Sequence, residues 1–131
     1  MRILGVLGML LLPFTVCATG PYDYSVAGVT DFFADAATST AGLDVAACGP
    51  DSTGRLWLAI GYGPGRPPVV TLYTADPGGV ALQIALFAYD PAFGGGARVG
   101  CSVGVDDVIT VVTGAGPGGG PHVRVFRITP D

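Results

Sequence analysis

An all-β fold of antiparallel strands is predicted by three features of this 131-residue chain. Short apolar runs alternate with polar residues, glycine and proline cluster between the runs, and residues 61–73 (GYGPGRPPVVTLY) return 53 positions later as residues 114–126 (GAGPGGGPHVRVF). Alternation indicates half-buried strands, and the Gly/Pro clusters mark turns. A period of this size is typical of arrays and propellers, whose units bury their apolar faces against neighbouring units.

Each repeated unit is predicted to contain four short strands. Along the chain the predicted strands are a leading one at about 26–34, then 43–48, 55–61, 69–74 and 79–88 in the first unit, and 97–102, 108–113 and 122–128 in the second. The run 79–88 also fits a short buried helix, because period alone does not separate the two. Four antiparallel strands at regular spacing are typical of a propeller blade. The units at about 43–90 and 97–131 therefore predict about two blades, an incomplete propeller.

Residues 1–18 have the pattern of a secretory signal peptide. Arg2 precedes an apolar run, and Val16, Cys17 and Ala18 fit the small-residue rule for cleavage after Ala18. A lipidated N-terminus at Cys17 is a weaker alternative, because Val16 stands where lipoprotein signals usually have a small residue. We therefore expect an exported protein, extracellular, periplasmic or at the cell surface, whose mature region is 19–131.

The charge pattern argues against several kinds of partner. The chain has no Lys, Glu or Asn, and the mature region sets ten aspartates against five arginines, a net charge of about −5. So few cations, none of them clustered, cannot hold a phosphate backbone or an anionic membrane surface. No second long apolar run follows residue 18, so no membrane span is predicted either.

Two cysteines, Cys48 and Cys101, remain in the mature region, and they too are separated by 53 residues. An even number of cysteines in an exported chain favours a disulfide. The alternatives are two buried free thiols at equivalent positions of two units, and a bond between chains. Equivalent positions of adjacent units often lie beyond the Cα separation that a disulfide spans, so all three readings stay open.

The glycine loops identify the kind of repeat. Residues 114–126, preceded by the run 109–113 and by 87–93 (FAYDPAF), resemble the FG-GAP or VCBS-type β-propeller repeats of secreted bacterial proteins, distant relatives of integrin α-chain blades. The resemblance covers most of the mature region and is clearer in the second unit than in the first. It implies a non-catalytic extracellular or adhesive module and does not specify the ligand.

The same resemblance implies a calcium loop between the first two strands of each blade. The matching stretches here are 49–54 (GPDSTG) and 102–107 (SVGVDD), which retain only Asp51, Asp106 and Asp107 as candidate metal ligands. Calcium takes six to eight oxygen ligands, several of them carboxylates. We therefore expect no cofactor, with a calcium-dependent, integrin-like adhesion module as the alternative function.

An enzyme is not expected. Residues 114–119 satisfy G-x-G-x-x-G, but the alternation after them predicts a strand, whereas a dinucleotide site needs a helix there. His122 is the only histidine, so multi-histidine metal sites are excluded and any nucleophilic triad depends on it. The best candidate contacts for a protein or carbohydrate ligand are Tyr62, Arg66 and His122. The partner expected from the strand count is further repeats, or head-to-tail copies in which the strand at 26–34 completes a neighbour's last blade.

Overall fold

The computed structural model describes residues 31–34 and 39–130. These residues form no helix and seven strands, all within one compact unit at residues 32–131. The strands are β1 (Leu43–Pro50), β2 (Leu56–Tyr62), β3 (Val69–Asp76), β4 (Gly79–Phe87), β5 (Ala97–Val103), β6 (Ile109–Ala115) and β7 (Val123–Ile128). The all-β prediction is confirmed, and the run for which a helix was the alternative is the strand β4.

Two parts of the prediction fall largely outside the described residues. The signal peptide at 1–18 lies wholly outside them, and so do residues 26–30 of the leading strand. Residues 31–34, the rest of that predicted strand, belong to no strand.

The seven strands form two antiparallel sheets, and each sheet follows the order of the chain. The first contains β1, β2, β3 and β4, and the second contains β5, β6 and β7. Every neighbouring pair is joined by a short connection, as expected where apolar alternation is interrupted by glycine and proline every eight to ten or so residues. Neither sheet closes on itself.

One hydrophobic core lies between a face of the first sheet and a face of the second. Period-two alternation places Val70 and Leu72 of β3 on this face, and both side chains are fully buried. Ile109 and Val111 of β6 meet them from the second sheet, also fully buried. The remaining buried members of this cluster are Cys48, Trp57, Ala59, Ala88, Tyr89 and Ala97.

Glycines let main-chain segments approach closely at two places: Gly61 of β2 lies against β5 of the second sheet, and Gly116 lies against the connection that leads into β5. A Cβ atom at Gly61 would lie 2.2 Å from the carbonyl oxygen of Ala97, and one at Gly116 would lie 1.8 Å from that of Gly95. Gly116 also donates its N–H to the carbonyl of Gly96, at 3.1 Å. These glycines are explained by packing between backbones, because any side chain there would overlap main-chain atoms.

Two turns of the first sheet have the same backbone geometry as the turns 53 residues later in the second sheet. The five-residue turns from Asp51 and from Gly104 each begin with an N–H bonded to the carbonyl four residues later, at 2.9 Å in both cases. The turns at Gly65 and Gly118 have positive φ angles of 91° and 86°. The strands β1 and β5 are the exception. Their residues correspond at an offset of 54, because β1 contains one extra residue.

Candidate functional site

Cys48 and Cys101 are joined by a disulfide that links β1 of the first sheet to β5 of the second, with Cα atoms 4.6 Å apart. The two residues do not occupy equivalent positions. Cys101 of β5 is paired with Val111 of β6. Leu58 lies 53 residues before Val111, and its partner in β1 is Ala47 and not Cys48. Cys48 follows Ala47 as the extra residue of a β-bulge.

The bulge explains how the bond can form. A shift of one residue along a strand turns a side chain to the opposite face of its sheet. Cys48 therefore faces the second sheet while Cys101 faces the first, and their sulfur atoms meet between the sheets. If the two cysteines occupied equivalent positions, their side chains would point in the same direction and would not face each other.

The carboxylate of Asp51 organises the turn between β1 and β2. It is buried and accepts five hydrogen bonds, from the N–H and hydroxyl of Thr53, the N–H and Nε of Arg55, and Nε1 of Trp57. The Thr53 hydroxyl above all, with Trp57 and the two backbone N–H groups, holds the pKa of Asp51 well below its usual range, although burial acts in the opposite direction. Two carboxylate oxygens offer about four lone pairs, and in Asp51 these are already shared among five donors.

Asp107 connects the turns of the two sheets. Its Oδ1 accepts the N–H of Ser52 at 2.7 Å, and its Oδ2 accepts the Ser52 hydroxyl. Asp107 has a positive φ of 59°, at the position where the first turn has Gly54; Asp is one of the few residues that tolerate this conformation. The adjacent Asp106 accepts the N–H of Val108 at 3.3 Å.

The three carboxylates predicted as metal ligands thus all hold turns in place. Within residues 31–34 and 39–130, no group of three or more His, Cys, Asp or Glu side chains is placed to hold a metal ion.

Tyr62 and Arg66, two of the predicted ligand contacts, lie together. They line a shallow cavity of about 210 Å³ with Pro67 and Val69. The Tyr62 hydroxyl donates a hydrogen bond of 2.7 Å to the carbonyl oxygen of Ala34, so its ring is held by the segment that precedes β1.

His122, the third predicted contact, lies at the corresponding place of the second sheet. It lines a cavity of about 260 Å³ together with Tyr89, Phe93 and Arg124. Because Val69 corresponds to His122 and Arg66 to Gly119, the two cavities are matching positions with different chemistry. The structure therefore does not bring His122 together with Tyr62 and Arg66 in one site.

Tyr89 is a buried residue at this second cavity that the sequence analysis did not single out. Its hydroxyl lies 2.9 Å from the carbonyl oxygen of Thr113 and 2.8 Å from that of His122. Its ring contacts the His122 ring at 5.1 Å and the Arg124 guanidinium at 5.4 Å. Its sequence signal was its place in the run 87–93 (FAYDPAF), just before Asp90 and Pro91. Tyr89 anchors the connection between the sheets to β6 and to the chain before β7.

A third cavity, of about 220 Å³, lies where the two glycine loops meet. Glycine and proline backbone forms most of its wall, and its charged side chains are Asp44 and Arg98. Asp44 already accepts the N–H of Val99 at 2.6 Å, a contact that ties the edge of β5 to the first sheet.

Comparisons with known proteins add no relative. A scan against family models, a search of curated proteins and a search of solved structures each found no match. In the part of the chain that the structure describes, no helix has the length and apolar character needed to cross a membrane.

Proposed function

We propose that this chain is an exported, non-catalytic binding or structural module of the β-propeller type, in which the two sheets are neighbouring blades. The observation that carries the proposal is the way the sheets stack. Each is an antiparallel sheet in chain order, and the first strand of the second sheet, β5, lies closest to β1, less close to β2 and least close to β3. Propellers arrange four-stranded sheets around a central channel, and the packing of one first strand against the other fits two neighbouring sheets of such an arrangement.

Two further features support neighbouring blades. The turns keep the same backbone hydrogen bonds 53 residues apart, as expected if one supersecondary unit is used twice. The disulfide and the Asp44 carboxylate both join β1 to β5, the pair that would line the axis of the propeller. The FG-GAP-like glycine loops have a structural role in this arrangement, since they permit the backbones to meet.

The binding surface in this proposal is the cavity of Tyr62 and Arg66. A guanidinium group presents five donors in a planar fork that matches a carboxylate, and an aromatic ring can stack on the apolar face of a sugar. An acidic oligosaccharide that contains uronic acid fits both groups. The negative net charge of the chain, −4 over its whole length, makes such binding depend on this local cation.

The test uses the exported full-length chain on an array of neutral and uronic-acid oligosaccharides. Arg66→Gly introduces the residue that the second sheet has at the matching position, and His122→Val introduces the residue of the first sheet. We expect Arg66→Gly to abolish binding to the acidic sugars and His122→Val to preserve it. Equal binding by both variants, or no binding by the wild type, would contradict a binding role for this cavity.

Export is tested separately, by sequencing the N-terminus of the protein recovered outside the cytoplasm. The expected first residue is Thr19. Retention inside the cell with residues 1–18 still attached would contradict the exported location.

A further inference from the structure

The side of the second sheet that faces away from the core carries an exposed apolar patch, flanked on the same side by Arg98 and Arg127. We call it the outer face; it consists of Gly100, Val112, Gly114, Val123 and Val125. The three valines are between 41% and 63% exposed, whereas the residues 53 positions earlier, Ala59, Val70 and Leu72, are 0% exposed. The first sheet buries this set of positions under β5, and the second sheet leaves the same set uncovered.

Gly114 strengthens the comparison. It matches Gly61, where a Cβ atom would lie 2.2 Å from a main-chain oxygen of β5. At Gly114, apart from the two neighbouring residues, no heavy atom of the described part of the chain lies within 4 Å of such a Cβ. Glycine in the middle of a strand weakens the strand. Packing within the chain thus explains the glycine at 61 and leaves the glycine at 114 without a reason.

A complementary surface is exposed on β1. We call it the β1 face; it consists of Leu43, Val45 and Ala47, which point away from the core. Leu43 is 44% exposed and Val45 is 58% exposed. Their counterparts in β5, at an offset of 54, are Ala97, Val99 and Cys101, the residues that β5 packs against the first sheet.

We propose that the outer face binds the β1 face of a second copy of this chain, so that copies stack head to tail and repeat between chains the sheet packing found within one chain. The contact is heterologous, because two different surfaces meet, and a heterologous contact that closes forms a ring. Propellers have about four to eight blades, so a closed ring would contain about two to four copies. The stacking geometry rests on the blade arrangement proposed above.

The contact between copies lacks two links that the contact within the chain has. The counterpart of Asp44 on the outer side is Arg98, which cannot accept an N–H as Asp44 accepts that of Val99. The disulfide has no counterpart either, because Cys48 is the extra residue of the bulge and β5 contains no such residue. The association is therefore reversible and depends on protein concentration.

The test is sedimentation equilibrium of the exported full-length chain and two alanine variants. Gly114→Ala adds a methyl group at the position that matches Gly61, where the packing of β5 leaves no room for one. We expect this variant to lower the association constant more than about tenfold. Gly100→Ala is the matched control, because Gly100 lies on the same face and its Cβ position is also open. Gly100 corresponds to Ala46, where the contact within the chain already accommodates a methyl group, so we expect association to be unchanged. Circular dichroism checks that both variants fold.

A mixing experiment establishes the direction of the contact. Val45→Glu disables the β1 face and Gly114→Ala disables the outer face, so each variant alone should be monomeric. A mixture should form a one-to-one dimer, because each variant still supplies one intact surface. Val105→Glu, in a fully exposed turn, is the charge control and should associate like the wild type.

Several outcomes would overturn the proposal. These are a folded wild type that stays monomeric at all concentrations, equal effects of Gly114→Ala and Gly100→Ala, and a mixture that remains monomeric. None of these results decides the export or glycan tests, so failure of self-association is distinguishable from failure of the proposed function.

Discussion

Reduction of the Cys48–Cys101 disulfide is expected to lower the free energy of unfolding by about 4 kcal/mol. The bond closes a span of 53 residues, and in the chain-entropy model a loop of that length removes about 14 cal/mol/K from the unfolded state. Domains of this size are stable by only about 5–15 kcal/mol. The bond therefore contributes a large share of the total.

Urea unfolding of the oxidised and the reduced protein measures this contribution. With a slope of about 2 kcal/mol per molar urea, the midpoint should fall by about 2 M on reduction. The double variant Cys48→Ala/Cys101→Ala is the control, since its midpoint should not respond to reductant. A shift smaller than about 0.5 M in the wild type would refute the reasoning, because it would mean that the unfolded chain is already restricted without the bond.

The remaining predictions concern the turns and the glycine loops. Because the folded-state pKa of Asp51 is depressed, its carboxylate stabilises the fold above about pH 4, and that stability is lost as pH falls further. Asp51→Asn should therefore flatten the dependence of the urea midpoint on pH in this range. An unchanged slope would argue against a stabilising role for the carboxylate. Gly116→Ala should cost about 2 kcal/mol or more in thermal unfolding, because its Cβ would overlap the Gly95 carbonyl, whereas Gly94→Ala, with open space around it, should change stability by less than about 0.5 kcal/mol. The melting temperature should be the same with calcium and with chelator, because hydrogen-bond donors already surround Asp51; a rise of several degrees in calcium would restore the adhesion alternative.

The strands were predictable because their signal is local. Alternation in β2, β3, β6 and β7 marks which residues share a face, and the Gly/Pro clusters mark where each strand ends. Seven predicted strands lie within two residues of the observed bounds. The edge strand β4 was the ambiguous one, because an uncharged run of that length carries no period that separates strand from helix.

The candidate site was less predictable, since it depends on which groups meet in space. Metal binding by Asp51 stays a prediction, and the sequence did not reveal the Trp57 and Arg55 donors that the hairpin brings around its carboxylate. Tyr89 belongs to the run 87–93 that carries the resemblance, but its hydroxyl acquires partners only when the second sheet folds against it. The separation of His122 from Tyr62 likewise follows from their places in different sheets.

By itself the sequence determined the class of fold, the strand positions and the 53-residue period, because backbone alternation and turn chemistry act over a few residues at a time. The tertiary structure alone decided how the two units relate. The bulge at Cys48 moves one side chain to the opposite face of β1, and this brings together two cysteines that the period places at equivalent positions. The tertiary structure also decided which of the two corresponding apolar faces is covered, since burial depends on a neighbouring sheet and not on the residues of the face itself.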